Sequence, residues 1–152
     1  MSSLRASDGY GYYAGIQTGF VGLQKNTGSA YGNALGFGVD LGVRTNSVMD
    51  VVFSSQYSKH NALKLFSETL EANFYMWQMN DLEFSIGAGP GFYILNSGVS
   101  STEFGLQGSL ALDVVATDAL RLGVGYRYHG IFGTADDYWT VMMRVGFIFG
   151  DE

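Results

Sequence analysis

The final strand-sized segment of the chain, residues 139–149, consists of two alternating residue populations. One parity is apolar throughout: Trp139, Val141, Met143, Val145, Phe147 and Phe149. The other parity is mostly small or polar, with a guanidinium at its centre: Thr140, Met142, Arg144, Gly146 and Ile148. Because successive side chains of a strand point to opposite faces, each parity occupies one face. The segment therefore predicts a β-strand with one apolar face, which needs apolar surroundings.

Alternation of this kind recurs in eight segments. They are about 12–22, 34–44, 48–57, 69–78, 82–94, 103–114, 120–128 and 139–149. The second is the most regular, since Leu35, Phe37 and Val39 alternate there with Gly36 and Gly38. Tilted strands of about 9 to 11 residues span the hydrocarbon core of a bilayer. No linker or second domain is visible, so we expect residues 1–152 to form a single domain of membrane-spanning strands.

Composition limits the classes of function. Charged residues make up 14% of the chain, against about 25% in ordinary soluble domains. The net charge of −6 comes without the basic stripe that a nucleic-acid partner needs, and the absence of Cys excludes disulfides and cysteine-based metal or redox chemistry. We expect no cofactor and no metal. The N-terminus lacks the apolar core of a signal peptide, so we expect a mature segment.

The connections between the predicted strands alternate in length. Short ones lie at 45–47, 79–81 and 116–118, and longer ones, of about 8 to 11 residues, at 23–33, 58–68, 95–102 and 129–138. Short turns at one end and longer loops at the other are typical of an outer-membrane barrel. The pattern predicts an all-β fold, an eight-stranded antiparallel up-and-down transmembrane β-barrel. A soluble ligand-binding barrel with the two faces exchanged is the alternative.

Three observations indicate that the apolar parity faces outward into lipid. The three Lys residues, 25, 59 and 64, all fall in predicted long loops. Glycine crowds the polar parity, which suits a narrow interior better than a water-exposed surface. Aromatic residues on the apolar parity cluster near strand ends, as in the girdles at membrane interfaces. The predicted girdle is Phe20, Tyr57, Phe84, Phe92, Tyr128, Trp139, Phe147 and Phe149.

The chain resembles a known group of proteins in four segments: 13–20, 86–93, 120–128 and 144–149. The group is the small eight-stranded outer-membrane barrels of Gram-negative bacteria, of the OmpA, OmpX and OmpW kind. The resemblance implies an outer-membrane location, outer-membrane lipids and lipopolysaccharide as surroundings, and recognition of Phe147 and Phe149 by the barrel-assembly machinery. We expect a monomer. Three residues follow Phe149, which leaves open whether a periplasmic domain was removed.

The polar residues of the inward parity are the candidate functional residues. Those predicted near mid-depth are Gln17, Asp40, Asn73 and Arg144, and those nearer the long-loop end are Glu71, Gln107 and Arg127. An unpaired buried charge is destabilising, so we expect Asp40 and Glu71 to pair with the two arginines. Because side chains fill an eight-stranded interior, we favour a plugged barrel with a structural or surface-interaction role. A narrow or gated channel is the alternative.

The third hypothesis is that the protein is an enzyme, and we expect that it is not. A lipid hydrolase or acyltransferase would need a Ser–His pair near the outer face. His60 and His129 fall at the predicted loop end with Ser58 and Ser101 available, but solvated loop residues explain them more simply. Residues 87–91 lack the spacing of a phosphate-binding loop. They contain Pro90, where the missing N–H predicts a bulge or kink.

Overall fold

The computed structural model describes residues 11–133 and 135–150 of the chain. Eight strands and one helix follow each other in the order β1 (Gly11–Leu23), α1 (Lys25–Tyr31), β2 (Ala34–Asn46), β3 (Met49–His60), β4 (Leu63–Met79), β5 (Leu82–Asn96), β6 (Ser100–Thr117), β7 (Leu120–Phe132) and β8 (Tyr138–Phe149). Each strand pairs with its sequence neighbour, and β1 closes antiparallel on β8. This confirms the predicted fold class. Residues 1–10 and 151–152 lie outside the described residues. The expectation of a mature N-terminal segment and the question of a periplasmic domain after the last strand both concern these residues.

The two parities separate to the two faces of the barrel wall. On β2, Leu35 and Leu41 are 56% and 58% exposed, whereas Asp40 between them is 2% exposed. The other strands follow the same division over most of the wall, with apolar side chains outside and mostly polar or small ones inside, except at the loop end. The exterior of the barrel is therefore an apolar belt, and the apolar parity faces outward as the sequence predicts.

The strands are longer than the sequence predicts at the loop end. Strands β3 and β4 are joined by only Asn61 and Ala62, and β5 and β6 by residues 97–99. The predicted loops 58–68 and 95–102 are therefore wrong for most of their length. Above the aromatic level the pattern inverts: Lys64 points outward, while Leu63 and Leu65 point inward. At this end the strands have polar side chains outside and apolar ones inside, as in a water-exposed sheet. The alternation that marks a lipid-facing strand therefore stops before the strand itself ends.

Two lysines lie in strands, contrary to the expectation of Lys-free strands. Lys59 of β3 and Lys64 of β4 are register partners, and both are exposed on the outer face. They lie at the loop end of the barrel wall, beyond the apolar belt. The apolar face of the strands therefore points outward, as predicted, although two lysines lie in strands.

The longest connection, from β1 to β2, contains the helix α1, which the alternation did not predict. Within the described residues no helix is long and apolar enough to cross a membrane. Tyr31, at the end of α1, packs against a buried apolar cluster at the loop end. The sequence predicts Tyr31 to be one of the outward aromatics of the long-loop end, and its contact with this cluster corrects that prediction.

The expected bulge at Pro90 is absent. The β4–β5 register is unchanged on its two sides, since Thr69 pairs with Gly91 and Ala72 with Ala88. The pairs between these two positions are missing from the ladder, as the absent N–H of proline requires. The observed irregularity in this strand pair lies between Tyr75 and Trp77.

Candidate functional site

The barrel lumen holds every predicted interior residue. All seven occupy inward-facing positions, and all are buried except Arg144, whose side chain is 15% exposed. They are Gln17, Asp40, Glu71, Asn73, Gln107, Arg127 and Arg144. The contacts below show which of them meet.

The central cluster surrounds Arg127 of β7. Its Nη1 donates to Gln17 Oε1 at 3.0 Å, and its Nε donates to Glu71 Oε2 at 3.4 Å. Its Nη2 donates to Ser54 Oγ at 3.4 Å. Gln107 Nε2 donates to the same Glu71 oxygen at 2.8 Å. One guanidinium thus links β1, β3 and β4 to β7 across the lumen.

Asp40 belongs to the central cluster without touching an arginine in the ion pairs among described residues. It accepts a hydrogen bond from Gln17 Nε2 at 2.7 Å and another from Ser54 Oγ. Both donors also accept from Arg127, so the carboxylate is connected to the guanidinium through two neutral side chains. Asn73 accepts instead from Ser109 Oγ at 3.5 Å.

Arg144 pairs with a residue that the sequence analysis did not select. Its Nε donates to Asp113 Oδ1 at 2.8 Å, and its Nη2 donates to Asp113 Oδ2. The expected partners Asp40 and Glu71 are therefore wrong for Arg144. Gly123 pairs with Asp113 on one side and with Arg144 on the other. A glycine between them leaves the space in which the two side chains meet, since a Cβ there would lie 1.9 Å from Asp113 Oδ1.

A second charged cluster lies near the short-turn end, and the sequence analysis missed it. Glu83 is contacted by Arg44 Nη2 at 3.1 Å and by Arg121 Nη2 at 2.6 Å. Tyr75 donates to Asp50, accepts from Arg121 Nη1 at 3.0 Å, and lies beneath Arg44 with its ring centre 4.2 Å from the guanidinium carbon. The described lumen thus contains four arginines, not two. Strand parity alone could have found Arg44 and Arg121, since both face inward.

An apolar closure fills the loop end of the lumen, and we call it the loop-end plug. Its buried members are Val21, Leu23, Leu63, Leu65, Tyr93, Ile131, Tyr138 and Met142. His129 lies among them, stacked on the Tyr138 ring at 4.2 Å, with its Nδ1 3.1 Å from the Tyr93 hydroxyl. The sequence predicts His60 and His129 to be solvated loop residues; this is wrong, because both are strand residues that point inward and are buried.

Ser58 and His60 do form a hydrogen-bonded pair. Ser58 Oγ lies 2.9 Å from His60 Nε2, and His60 Nδ1 lies 2.8 Å from the Gly32 carbonyl oxygen. Both side chains are buried on the inward face of β3. The pair therefore ties β3 to the end of the α1 connection, and it faces away from the lipid that a lipid hydrolase would attack.

A level of polar atoms without hydrogen-bond partners separates the central cluster from the plug. The atoms are Gln56 Nε2, Thr69 Oγ1, Gln107 Oε1, His129 Nε2 and Thr140 Oγ1. A cavity of about 10 Å³ next to Gln56 is lined mainly by residues of the loop end, among them Ser67 and the plug residues Val21, Leu65 and Tyr138. Buried polar groups need partners, and this volume fits about one water molecule. In the described part of the chain no cluster of His, Cys, Asp and Glu fits a metal ion.

The predicted girdle residues all lie on outward positions. Phe92 and Phe104 pack edge to face at 5.4 Å at the loop end, and Tyr128 pairs with Trp139. At the turn end Tyr12 pairs with Phe149. The remaining members are Phe20, Tyr57, Phe84 and Phe147. Phe84 and Trp139 are the two that are partly covered.

The β7–β8 connection is fastened to α1 above the lumen. Asp136 Oδ2 accepts from the Thr27 amide at 3.0 Å and from the Thr27 hydroxyl at 2.8 Å. These bonds, the amide first, lower the pKa of Asp136. Asp137 fixes the same connection to β7, because it accepts from the Ile131 amide at 3.0 Å. The two carboxylates therefore hold α1 and the last connection over the plug.

We expect this fastening to be lost only in strong acid. A lowered carboxyl pKa means that the contact is complete above the ordinary Asp value of about 3.9 and disappears as pH falls through the folded-state pKa. The amide resonance of Thr27, followed by NMR in micelles, should titrate below pH 3.9, and Asp136→Asn should abolish the step. A titration at or above the ordinary Asp range would contradict the contact.

Solved structures share this fold. The crystal structure of Neisserial surface protein A matches with a TM-score of 0.69 at 17% identity, over 92% of this chain and 97% of that one. The N-terminal β-barrel domain of Pseudomonas aeruginosa OprF matches at 0.69 with 13% identity, over 93% and 98%. The outer membrane protein OprG of the same species matches at 0.65 with 13% identity, over 94% and 97%. The chain therefore has the fold of the small eight-stranded outer-membrane barrels.

No protein-family model matches the chain, and no curated protein matches its sequence.

Proposed function

We propose that the protein is an integral outer-membrane barrel whose closed lumen serves a structural or surface-interaction role. The observation that carries this proposal is that the lumen is occupied over its whole height. The Glu83 cluster fills the turn end, the Arg127 cluster fills the middle, and the loop-end plug fills the top. An eight-stranded barrel has an interior just wide enough for such filling.

The exterior supports the location and the assembly route. An apolar belt between two aromatic levels fits a bilayer, and a closed barrel leaves no free sheet edge, which is consistent with a monomer. Phe147 and Phe149 are 51% and 55% exposed on the last strand. Their exposure supports recognition of β8 by the barrel-assembly machinery, with lipopolysaccharide and phospholipid around the finished barrel.

A narrow, gated path is the second candidate, and the unpartnered polar atoms between the central cluster and the plug favour it. Water at that level would leave only the plug between the central cluster and the loop-end surface. Movement of α1 and the plug would then open the lumen. The same experiment distinguishes this path from a permanent seal.

Planar-bilayer recording of the refolded protein tests the proposal. We expect the wild type to show no steady single-channel steps. The double variant Tyr93→Ala/Tyr138→Ala, which removes two plug rings, should increase ion leakage. Its matched control is Tyr57→Ala/Tyr128→Ala, which removes the same residue types from the outer face and should leave the lumen closed. Large, steady steps from the wild type would overturn the sealed barrel and support the gated path.

A further inference from the structure

The outer face of the β3–β4 hairpin carries two lysines directly opposite each other. Lys59 and Lys64 are register partners on adjacent strands, and both side chains are exposed. Like charges at directly opposed positions destabilise an antiparallel pair. The ion pairs among residues 11–133 and 135–150 all use arginines of the lumen, so neither ammonium is neutralised by a described carboxylate. The pair is therefore an uncompensated cationic site.

The rows beneath the lysines follow the order of chemical groups in a lipid leaflet. The next outward pair toward the membrane is Tyr57 with Phe66, about 6.6 Å away along the strands at 3.3 Å per residue. Below it lies a polar row, Ser55 with the exposed Glu68, and then Phe53 with Leu70 in the apolar belt. Cations above aromatic rings, with one polar row and then apolar side chains below them, match headgroup phosphates, the interface and acyl chains. The ammonium groups thus lie at the height of lipid phosphates.

Among the described residues, the exposed cationic side chains all lie at this end of the barrel. The four described arginines are all lumen residues, whereas Lys25, Lys59 and Lys64 are exposed at the loop end. Glu68, Asp136 and Asp137 lie toward the same end, so the attraction of an anionic headgroup comes from the lysine pair itself and not from the net charge of this end.

We propose that Lys59 and Lys64 together bind a phosphate of a phosphorylated glycolipid, the lipid A portion of lipopolysaccharide. Side chains whose Cβ atoms lie about 5 Å apart on opposed positions converge on a single phosphate. A phosphate monoester carries about −1.5 to −2 charge at neutral pH, which suits two ammonium groups. Phosphatidylethanolamine has an ammonium of its own that competes for its phosphate. This inference rests on the proposed outer-membrane location.

Native mass spectrometry of the refolded barrel in detergent tests the site, with bisphosphorylated lipid A as the probe. A lysine near a lipid phosphate contributes about a fivefold gain in affinity, so Lys59→Gln/Lys64→Gln should bind lipid A about thirtyfold more weakly. Lys25→Gln removes the same charge from α1 and should bind like the wild type. Glu68→Gln removes the opposite charge from the same hairpin face and should bind at least as well.

Dephosphorylated lipid A and phosphatidylglycerol complete the experiment. Weak binding of both to the wild type supports the assignment. Wild-type affinity in the double lysine variant, or equal binding of the dephosphorylated lipid, would overturn it. Equal binding of phosphatidylglycerol would overturn the glycolipid assignment in favour of a general anionic-lipid site. Insertion into vesicles and a heat-modifiable gel band are recorded for every variant. If the wild type neither inserts nor gives a heat-modifiable band, the proposed function is rejected. If a variant inserts normally but binds lipid A weakly, the result concerns the lysine pair alone.

Discussion

Arg127→Met is expected to destabilise the barrel by about 3 to 5 kcal/mol, because breaking a buried ion pair leaves an uncompensated charge. Without the guanidinium, Glu71 keeps only the Gln107 amide as a donor among its described contacts, and Gln17 and Ser54 lose a shared donor. Urea unfolding in lipid vesicles measures the loss. The fluorescence of Trp77 and Trp139 reports it, since these are the two tryptophans of the chain and both lie outside the lumen.

Two further variants separate the charge from the packing. Arg127→Met/Glu71→Gln removes both charges, so we expect it to recover much of the lost stability, as replacement of a whole buried pair often does. Arg44→Met leaves Glu83 paired with Arg121 at 2.6 Å, so no carboxylate loses its last arginine and the loss should be smaller, about 1.5 to 3 kcal/mol for one charged hydrogen bond. If Arg127→Met were no worse than Arg44→Met, the central cluster would contribute little to holding the strands together.

The sequence predicts the faces of this barrel well and the partners inside it poorly. Parity is a local property, so alternation alone places Gln17 and Arg127 in the lumen. Partner choice depends on register between strands that lie far apart in sequence. Asp113 meets Arg144 because Gly123 lies between them in adjacent ladders, which no single-strand pattern reveals.

The loop end could not be predicted for a different reason. Above the aromatic level the solvent changes from lipid to water, and the outward and inward preferences exchange. Leu63 and Leu65 therefore face the plug, while Lys64 between them faces water. An alternation with the opposite sense does not match a lipid-facing strand, so the sequence predicts loops where the plug residues and the paired Lys59 and Lys64 lie in strands.

Gly89→Ala is expected to destabilise the barrel by about 3 kcal/mol, since added volume at a tight contact forces backbone shifts. A Cβ at Gly89 would lie 1.8 Å from the Leu70 carbonyl oxygen and 3.0 Å from the Glu71 Cα. These are backbone atoms of the neighbouring strand, so β4 and β5 would have to separate where Pro90 already interrupts their ladder. The same shift would move Glu71 away from Arg127, which couples this strand contact to the central cluster.

Gly125→Ala provides the matched control. Gly125 also faces the lumen, but a Cβ there would lie 3.7 Å from the nearest atom, the Leu110 carbonyl oxygen, which is an ordinary contact. It should be neutral or stabilise by up to about 1 kcal/mol, because alanine restricts the unfolded chain. Urea midpoints and the yield of the heat-modifiable form in vesicles compare the two variants. A Gly89→Ala barrel as stable as Gly125→Ala would show that β4 and β5 do not approach this closely, and that the ladder gap at Pro90 is wide enough to accept a methyl group.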